Sequence, residues 1–307
     1  TGGGAVTKTI DTGTLSESNS ISFTIKDTAG TVAFTNSNTV KDLILNGTFT
    51  FSNPLITIYG NYTYIAGTVS VGTTGFTFAA TSSKTITSGG LTHNFSITFN
   101  GVGGTWTLQD ALTLGTTNTV TLTNGTLNLN NFTLTISGFV SSNSNNRTLA
   151  FGTGKIVSAR NNSTLWNTTT NTNFVTSGTP VFEATYSGST GTRAFYFDVS
   201  YPEAYVVTFK IKAGSDTLRF TESSTSSGNA VRVKSLDFTG FTGTSGNGAL
   251  TIYGNFTLNS TMTYTSATVK TFAATSGTQT IRSNGNSFNC PITINGVGTT
   301  IINLHQD

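Results

Sequence analysis

The sequence is poor in charge. Asp, Glu, Lys and Arg make up 9% of its residues, whereas ordinary globular proteins carry about a quarter. The 15 basic and 12 acidic residues are thinly scattered and give a net charge of +3. They form no basic patch of the kind that binds nucleic acid, so we expect no nucleic-acid partner. Disorder is not expected either, because 35% of the residues are hydrophobic and can build a core.

Cysteine, methionine and long apolar runs are also scarce. Cys290 is the one cysteine, which excludes a disulfide framework within the chain. No stretch approaches 18 consecutive apolar residues, so we expect no membrane-spanning helix. The first residues, Thr1–Gly4, show neither an initiator Met nor a signal-peptide pattern. We therefore interpret the chain as a mature or trimmed segment.

What the sequence does contain is typical of β-structure. Threonine makes up about a fifth of the chain, with 34 Gly, 22 Phe and 9 Tyr, whereas residues that favour helices are few. Apolar residues alternate with polar ones in short runs such as Thr119–Leu129, and Asn-Gly or Gly-rich corners such as Asn124-Gly125 punctuate these runs. The composition and the alternation together predict an all-β fold.

The chain also repeats itself. The segment ITIYGNYT (56–63) returns as LTIYGNFT (250–257), TFAATS (77–82) returns at 271–276, and ITFNGVGGT (97–105) returns as ITINGVGTT (292–300). Weaker matches lie upstream, with an offset that grows from about 186 to about 195 residues. We predict a first repeat copy over 1–186 and a second, incomplete copy over 187–307.

Two architectures suit this pattern. Tandem antiparallel β-sandwiches would use Asn-Gly as hairpin turns, whereas a parallel β-solenoid would stack short strands about 4.8 Å apart. The abundant Thr, the Asn and Gly at corners and the absence of a Pro-rich or charged linker favour the solenoid, or β-helix. Residues 1–35 and 181–221 are richer in aromatic and charged residues, and they could form sandwich-like interruptions.

Five segments carry a resemblance to known proteins: Phe76–Thr81, Lys84–Gly90, Ile97–Leu108, Thr119–Leu129 and Leu149–Ile156. Together they resemble a low-complexity repeat that is common in large proteins of marine phages and uncultured bacteria. The resemblance implies a repetitive β-solenoid, fibre-like surface protein of virions or cells. Such proteins act as adhesins, tail appendages or filament subunits.

Candidate catalytic groups are few. His93 and His305 lie far apart and lack the spacing of a metal site or a catalytic triad, so we interpret His93 as structural. Glu183, Asp198 and Glu203 form the closest acidic cluster, and a polysaccharide-degrading β-helix enzyme would need paired carboxylates. We expect these acids to be solvated or paired with basic residues, namely Arg193, Lys210 or Lys212.

The glycine-rich segments also carry no chemistry. Gly101–Gly104 and its counterpart Gly296–Gly298 lack the Lys-Ser/Thr ending of a phosphate-binding loop, and a strand follows each of them. Trp106 and Cys290 are single residues in strand-like contexts and are expected in the core or at corners. We predict no catalytic residues, no cofactor and no metal site, and therefore a protein that is not an enzyme.

The leading functional hypothesis is a structural subunit or segment of an extracellular or virion fibre. Its partners would be copies of itself or further repeats of the same chain. The alternative is an adhesin that binds cell-surface glycans, and the polysaccharide-degrading enzyme is weaker. Ice binding by Thr-X-Thr rows is disfavoured because such rows recur at no fixed interval.

Two further expectations concern the core and the ends. Along the strands the apolar residues should point inward with the intervening Thr outward, and this holds for Phe78, Ile86, Ile97, Phe99, Leu108, Leu114, Leu127, Leu129 and Leu134. The second copy reaches Thr300 and then ends at Asp307 without a polar cap. We therefore expect further sequence or a neighbouring subunit to cover the exposed coils.

Overall fold

A computed structural model describes residues 7–27, 31–34, 36–52, 56–71, 75–222, 230–246 and 248–303. The chain is 2% helical and 50% strand, and its parallel strands stack as a β-solenoid of about 12 turns. This confirms the all-β prediction and the solenoid, and it excludes the tandem antiparallel sandwiches. The chain divides into two compact units: unit 1 contains residues 1–137 and 145–154, and unit 2 contains residues 138–144 and 155–307.

The strands are short, and within the described ranges two single-turn 3₁₀ helices interrupt them, η1 (Glu17–Asn19) and η2 (Glu203–Tyr205). The first sixteen strands are β1 Thr7–Ile10, β2 Phe23–Asp27, β3 Thr31–Phe34, β4 Asn38–Val40, β5 Leu43–Gly47, β6 Phe49–Ser52, β7 Ile56–Ile58, β8 Tyr62–Ala66, β9 Val69–Val71, β10 Phe76–Phe78, β11 Ser83–Thr87, β12 Thr92–His93, β13 Ile97–Leu108, β14 Leu112–Leu114, β15 Thr119–Asn128 and β16 Thr133–Thr135. The others are β17 Gly138–Val140, β18 Arg147–Ala150, β19 Lys155–Ser158, β20 Ser163–Thr168, β21 Phe174–Ser177, β22 Val181–Ala184, β23 Thr192–Phe197, β24 Thr208–Ile211, β25 Thr217–Thr221, β26 Val231–Val233, β27 Ser235–Asp237, β28 Thr244–Ser245, β29 Leu250–Ile252, β30 Phe256–Thr257, β31 Thr263–Tyr264, β32 Lys270–Phe272, β33 Thr278–Arg282, β34 Ile292–Ile294 and β35 Thr299–Asn303.

Unit 1 is built from parallel ladders in which each strand pairs with the strand one coil later. One ladder runs β4–β7–β10–β13–β15, and a second runs β2–β5–β8–β11–β13–β15–β18. Two further parallel ladders are formed by β1–β3–β6–β9 and by β12–β14–β16. The long strands β13 and β15 each contribute to two ladders, because they bend at a corner.

The alternation of the sequence decides which side chains enter the core. All nine residues predicted to point inward are buried, each at most 3% exposed, and Trp106 lies among them at 0%. Aromatic rings continue from coil to coil, as in Phe78, Phe99 and Trp106, whose ring centroids lie 5.3–6.4 Å apart. Burying one such side chain contributes roughly 1.5–3 kcal/mol, so the core grows in stability with each coil.

The outward positions form columns in register. In the first ladder Thr39, Thr57, Thr77, Thr98 and Thr121 are paired in sequence across five strands, and we call them the threonine column. Stacked β-branched side chains suit this position because they pack well against identical neighbours on a pleated surface. The register holds although the spacing along the sequence varies, because the corners absorb the difference.

The corner at Asn124-Gly125 illustrates how the coils turn. It is not a hairpin turn: it lies inside β15, where Gly125 has φ of +78°. A Cβ at Gly125 would stand 2.5 Å from the carbonyl oxygen of Gly101, so both the dihedral angle and the space require glycine here. The Asn124 amide donates to Oδ1 of Asn100 at 2.7 Å, and an asparagine ladder therefore joins the two coils at this corner.

Unit 2 repeats the scheme. Its ladders are β17–β20–β23–β25–β28–β31, β19–β22–β24–β27–β30–β33–β35 and β26–β29–β32–β34, all parallel. The predicted sandwich-like interruptions are therefore wrong. Residues 181–221 supply β22 to β25 to these ladders, and the described part of 1–35 supplies β1 to β3 to unit 1. Many of their aromatic residues are buried in the core, among them Phe182, Phe195, Phe209 and Phe220.

Candidate functional site

The charges of unit 2 include a fully buried ion pair. Arg193 in β23 donates to Asp216 through Nε at 2.8 Å and through Nη2 at 2.6 Å, and both side chains are 0% exposed. Nη2 also donates to the carbonyl of Ala213, and the guanidinium lies 5.6 Å from the ring centroids of Tyr186 and Phe241. Such a planar, bidentate pair holds its two segments in a fixed register, which is a structural role.

The three acids of the predicted cluster are engaged separately. Glu183 accepts from Lys155 at 2.7 Å, and Asp198 accepts from the backbone and hydroxyl of Ser200. Glu203 bonds to Thr275 and lies 3.6 Å from Lys234. The partners expected from the sequence were wrong, because Arg193 is taken by Asp216. Lys210 does stand beside Glu183 in the ladder, but without an ion pair between them.

Glu203 belongs to an arrangement that is found twice in the part of the chain that the structure describes: a carboxylate on a 3₁₀ helix accepts two hydrogen bonds from one threonine. We call this arrangement a strap. In unit 2, η2 places Glu203 so that its Oε2 accepts from Thr275 Oγ1 at 2.7 Å and from the Thr275 backbone N–H at 3.3 Å. In unit 1, η1 places Glu17 so that its carboxylate accepts the same two bonds from Thr81, at 2.7 and 3.3 Å. Thr81 and Thr275 are the matching threonines of the two TFAATS repeats.

A groove adjoins the strap of unit 2. It has a volume of about 660 Å³, and its walls come from the turn before β22, from η2 and from the starts of β24 and β27. Its polar lining contains Glu203, Lys234 and Thr275 together with Thr179 and Thr208. Its apolar lining contains Pro180, Val181, Ala204 and Val206. This mixture of a few polar groups on an apolar wall is usual in ligand-binding sites.

His93 lies in the core of unit 1. It is 0% exposed, its Nδ1 bonds to the carbonyl of Leu91 at 3.0 Å, and its ring contacts Tyr62, Tyr64 and Phe95 at centroid distances of 5.0–5.5 Å. Burial lowers the pKa of His93 to about 4, so the ring is neutral at neutral pH. This placement agrees with the structural interpretation of His93. His305 lies outside the described residues.

The matching region of unit 2 contains a buried amine that the sequence reasoning missed. Lys270 is 0% exposed, and its ammonium donates to the carbonyls of Gly248 and Thr268 and to the hydroxyls of Ser266 and Thr268, at 2.7–3.0 Å. Burial lowers the pKa of Lys270 to about 8, and burial raises the pKa of the neighbouring Cys290 thiol. Lysine at an alternating inward position, where the first copy has Phe76, was the available signal.

The remaining sequence candidates have structural placements. Gly101–Gly104 lies within β13, and Gly296–Gly298 lies between β34 and β35, so neither opens a helix that could hold a phosphate. In the described part of the chain, no group of three His, Cys, Asp or Glu side chains is arranged to hold a metal ion. The same residues include no helix with the length and hydrophobicity needed to span a membrane.

Comparisons with family models, with curated proteins and with solved structures found no match to this chain. The resemblance to phage and bacterial fibre proteins therefore stays a prediction.

Proposed function

We propose that this protein is a non-enzymatic structural subunit or segment of a fibre, located outside the cell or on a virion. The coil architecture supports this, because each coil needs only its neighbours and a stack can be lengthened without a new fold. The sparse surface charge also suits close packing of subunits, since little self-repulsion has to be overcome. The separate pairing of the acids is consistent with a role without catalysis.

One observation carries the proposal: the last described coil presents an apolar strand edge. Ile292, Ile294, Ile301 and Ile302 on β34 and β35 are 36–49% exposed. The matching strand of the first copy, β13, pairs with β15, which leaves Ile97, Phe99 and Trp106 at most 1% exposed. We infer that a further coil covers β34 and β35 as β15 covers β13, by parallel strand addition, and that a second copy or further repeats of the same chain can supply it.

The test is self-association of this chain together with negative-stain microscopy. We expect concentration-dependent end-to-end rods, because covering an open β-edge buries both backbone groups and apolar side chains. Ile294→Lys should weaken the association at least about tenfold, since it places a charge in the contact. Ile65→Lys, on an exposed Ile of unit 1 (52% exposed), is the matched control and should leave the association unchanged.

A chain that remains a 32.1 kDa monomer at every concentration would contradict the inferred contact between copies. So would rods that form equally well in Ile294→Lys. Loss of association in the Ile65→Lys control would show that the contact lies elsewhere and would also contradict it.

A further inference from the structure

The groove beside Glu203 has hydrogen-bonding capacity that the protein does not use. Oε2 of Glu203 is held by Thr275, whereas Oε1 lies 3.6 Å from Nζ of Lys234, which is beyond hydrogen-bond length. Among the described residues, neither Oε1 nor the Lys234 ammonium has a hydrogen bond. One hydroxyl group placed at this point could accept from Lys234 and donate to Glu203 at the same time.

The lining restricts the chemistry of the ligand. A carboxylate beside an ammonium leaves the groove without net charge, so an acidic ligand would meet the carboxylate and a basic ligand the ammonium. The hydroxyl of Thr208 can donate and accept, whereas that of Thr275, whose proton is donated to Glu203, can accept. The rest of the lining, which includes Pro180, Val181 and Ala204, offers an aliphatic wall to C–H groups. A neutral molecule with many hydroxyls on an apolar ring satisfies both sides of the groove.

We propose that this groove binds a neutral oligosaccharide of two or three sugar residues. Its volume of about 660 Å³ falls within the roughly 300–1,000 Å³ usual for small-molecule sites. Glu203 and Lys234 would share a sugar hydroxyl, and the aliphatic wall would take the C–H face of a ring. The proposal goes beyond the fibre role and does not depend on it, because the groove lies at a corner of unit 2 and not on β34 or β35.

The first copy contains the same strap without the matching groove lining, so it provides a control for the structural role of the strap. Glu17 bonds to Thr81 as Glu203 bonds to Thr275, and Lys41 matches Lys234 in the repeat alignment. However, Ser18 and Ser20 stand where the second copy has Ala204 and Val206, so that corner lacks the matching aliphatic side chains. Glu17→Gln therefore removes a strap carboxylate without touching the groove.

The experiment is a titration of the full chain with three neutral sugars, maltotriose, cellotriose and triacetylchitotriose, followed by calorimetry and by amide chemical shifts. We expect at least one trisaccharide to bind with millimolar or better affinity and to shift amides of residues 178–181 and 203–208. Glu203→Gln and Lys234→Met should each weaken that binding at least about tenfold, which corresponds to about 1.4 kcal/mol. Glu17→Gln should bind as the parent does. Thermal unfolding of each variant confirms that it is folded.

The proposal is overturned if none of the three sugars binds at concentrations up to about 10 mM. It is also overturned if folded Lys234→Met binds as the parent does, or if Glu17→Gln weakens binding as much as Glu203→Gln. Self-association, measured separately, is expected to be the same in Lys234→Met and in the parent, so failure of one proposal can be told from failure of the other.

Discussion

The two repeat copies make the same coil around different interiors. In the first copy, Phe76 and Phe95 pack with ring centroids 4.2 Å apart. In the second copy the aligned residues are Lys270 and Cys290, and the amine is held by four oxygen atoms. An aromatic pair has been replaced by a buried base and a thiol at matching positions.

The backbone around these positions is nevertheless the same. Ala79 N–H donates to Ile58 in the first copy and Ala273 N–H to Ile252 in the second, at 2.9 and 3.0 Å. The side chain of Asn61 caps the Thr85 N–H as that of Asn255 caps the Thr280 N–H, both at 2.9 Å. The comparison indicates that corners and strand pairing fix the coil, and that the interior accommodates a buried amine where oxygen atoms satisfy its hydrogen bonds.

An unpaired charge in the core should give the largest loss of stability. Leu127→Asp in β15 places a carboxylate where no donor replaces water, and we expect a loss of about 4–5 kcal/mol in the free energy of unfolding. Thr126→Asp, one residue earlier and facing outward, is the matched control and should cost less than about 1 kcal/mol. Urea denaturation measures both values. Equal losses would show that the assigned inward and outward sides are wrong.

A paired interior charge should become costly once its partner is removed. Asp216→Asn leaves Arg193 buried without a counter-ion, and we expect a loss of about 3 kcal/mol. Glu183→Gln, in the half-exposed pair with Lys155, should change stability by less than about 1 kcal/mol. A loss in Asp216→Asn no greater than that in Glu183→Gln would mean that Arg193 is solvated in the folded protein.

The buried amine should make stability depend on pH in the second copy. The folded pKa of Lys270, about 8, lies below its ordinary value of 10.5, so the unfolded chain binds more protons between these values. The contribution of Lys270 is fully present above pH 10.5 and is lost as the pH falls through 8, with a size of about 3 kcal/mol. Stability measured from pH 7 to 10.5 in the parent, minus that of Lys270→Met, should therefore rise with pH.

Cys290 acts in the opposite direction above its ordinary pKa of 9, because burial favours its protonated form. Because the Lys270 ammonium also acts on the Cys290 thiol, both proteins are measured with Cys290→Ala, which removes this effect. Phe76→Met in the first copy is the control and should add no pH dependence. A difference that is flat across this range would contradict the lowered pKa of Lys270.

The straps should show the smallest effects, and these should be similar in the two copies. Glu17→Gln and Glu203→Gln each weaken partly exposed hydrogen bonds to a threonine, and we expect about 1 kcal/mol from each. Thermal unfolding of the two variants tests this equivalence. A loss of stability several times larger in one variant would show that the two straps contribute unequally to stability despite their matching geometry.

The sequence predicted the fold well because alternation and corner residues act locally. Leu127 and Leu129 point inward because they alternate with the polar Thr126 and Asn128, and the abundant Thr and the Asn and Gly corners favoured parallel stacking over hairpins. It predicted the charged contacts poorly. Asp216 meets Arg193 through the register of separate strands, which spacing along the chain does not reveal. The prediction of sandwich-like interruptions was wrong because the extra aromatic and charged residues were interpreted as a change of fold. They change only which side chains the coils contain.

The straps lie between these cases. Glu17 and Glu203 are aligned in the repeat, as are Thr81 and Thr275, so the recurrence was visible in the sequence. Their contact was not, because each bond joins residues more than sixty positions apart. The groove is likewise lined by residues that lie far apart in the sequence, so composition alone could not locate it.

The parallel ladders have a mechanical consequence. Backbone hydrogen bonds in such ladders point from one coil to the next, so a pull along the stacking direction of either unit loads them lengthwise. Wherever a coil is joined to its neighbour by three ladders, these share the tension, and the coil can separate only when all three give way. In a single-molecule pulling experiment, the extension should therefore grow in steps of similar length, each of about one coil of chain.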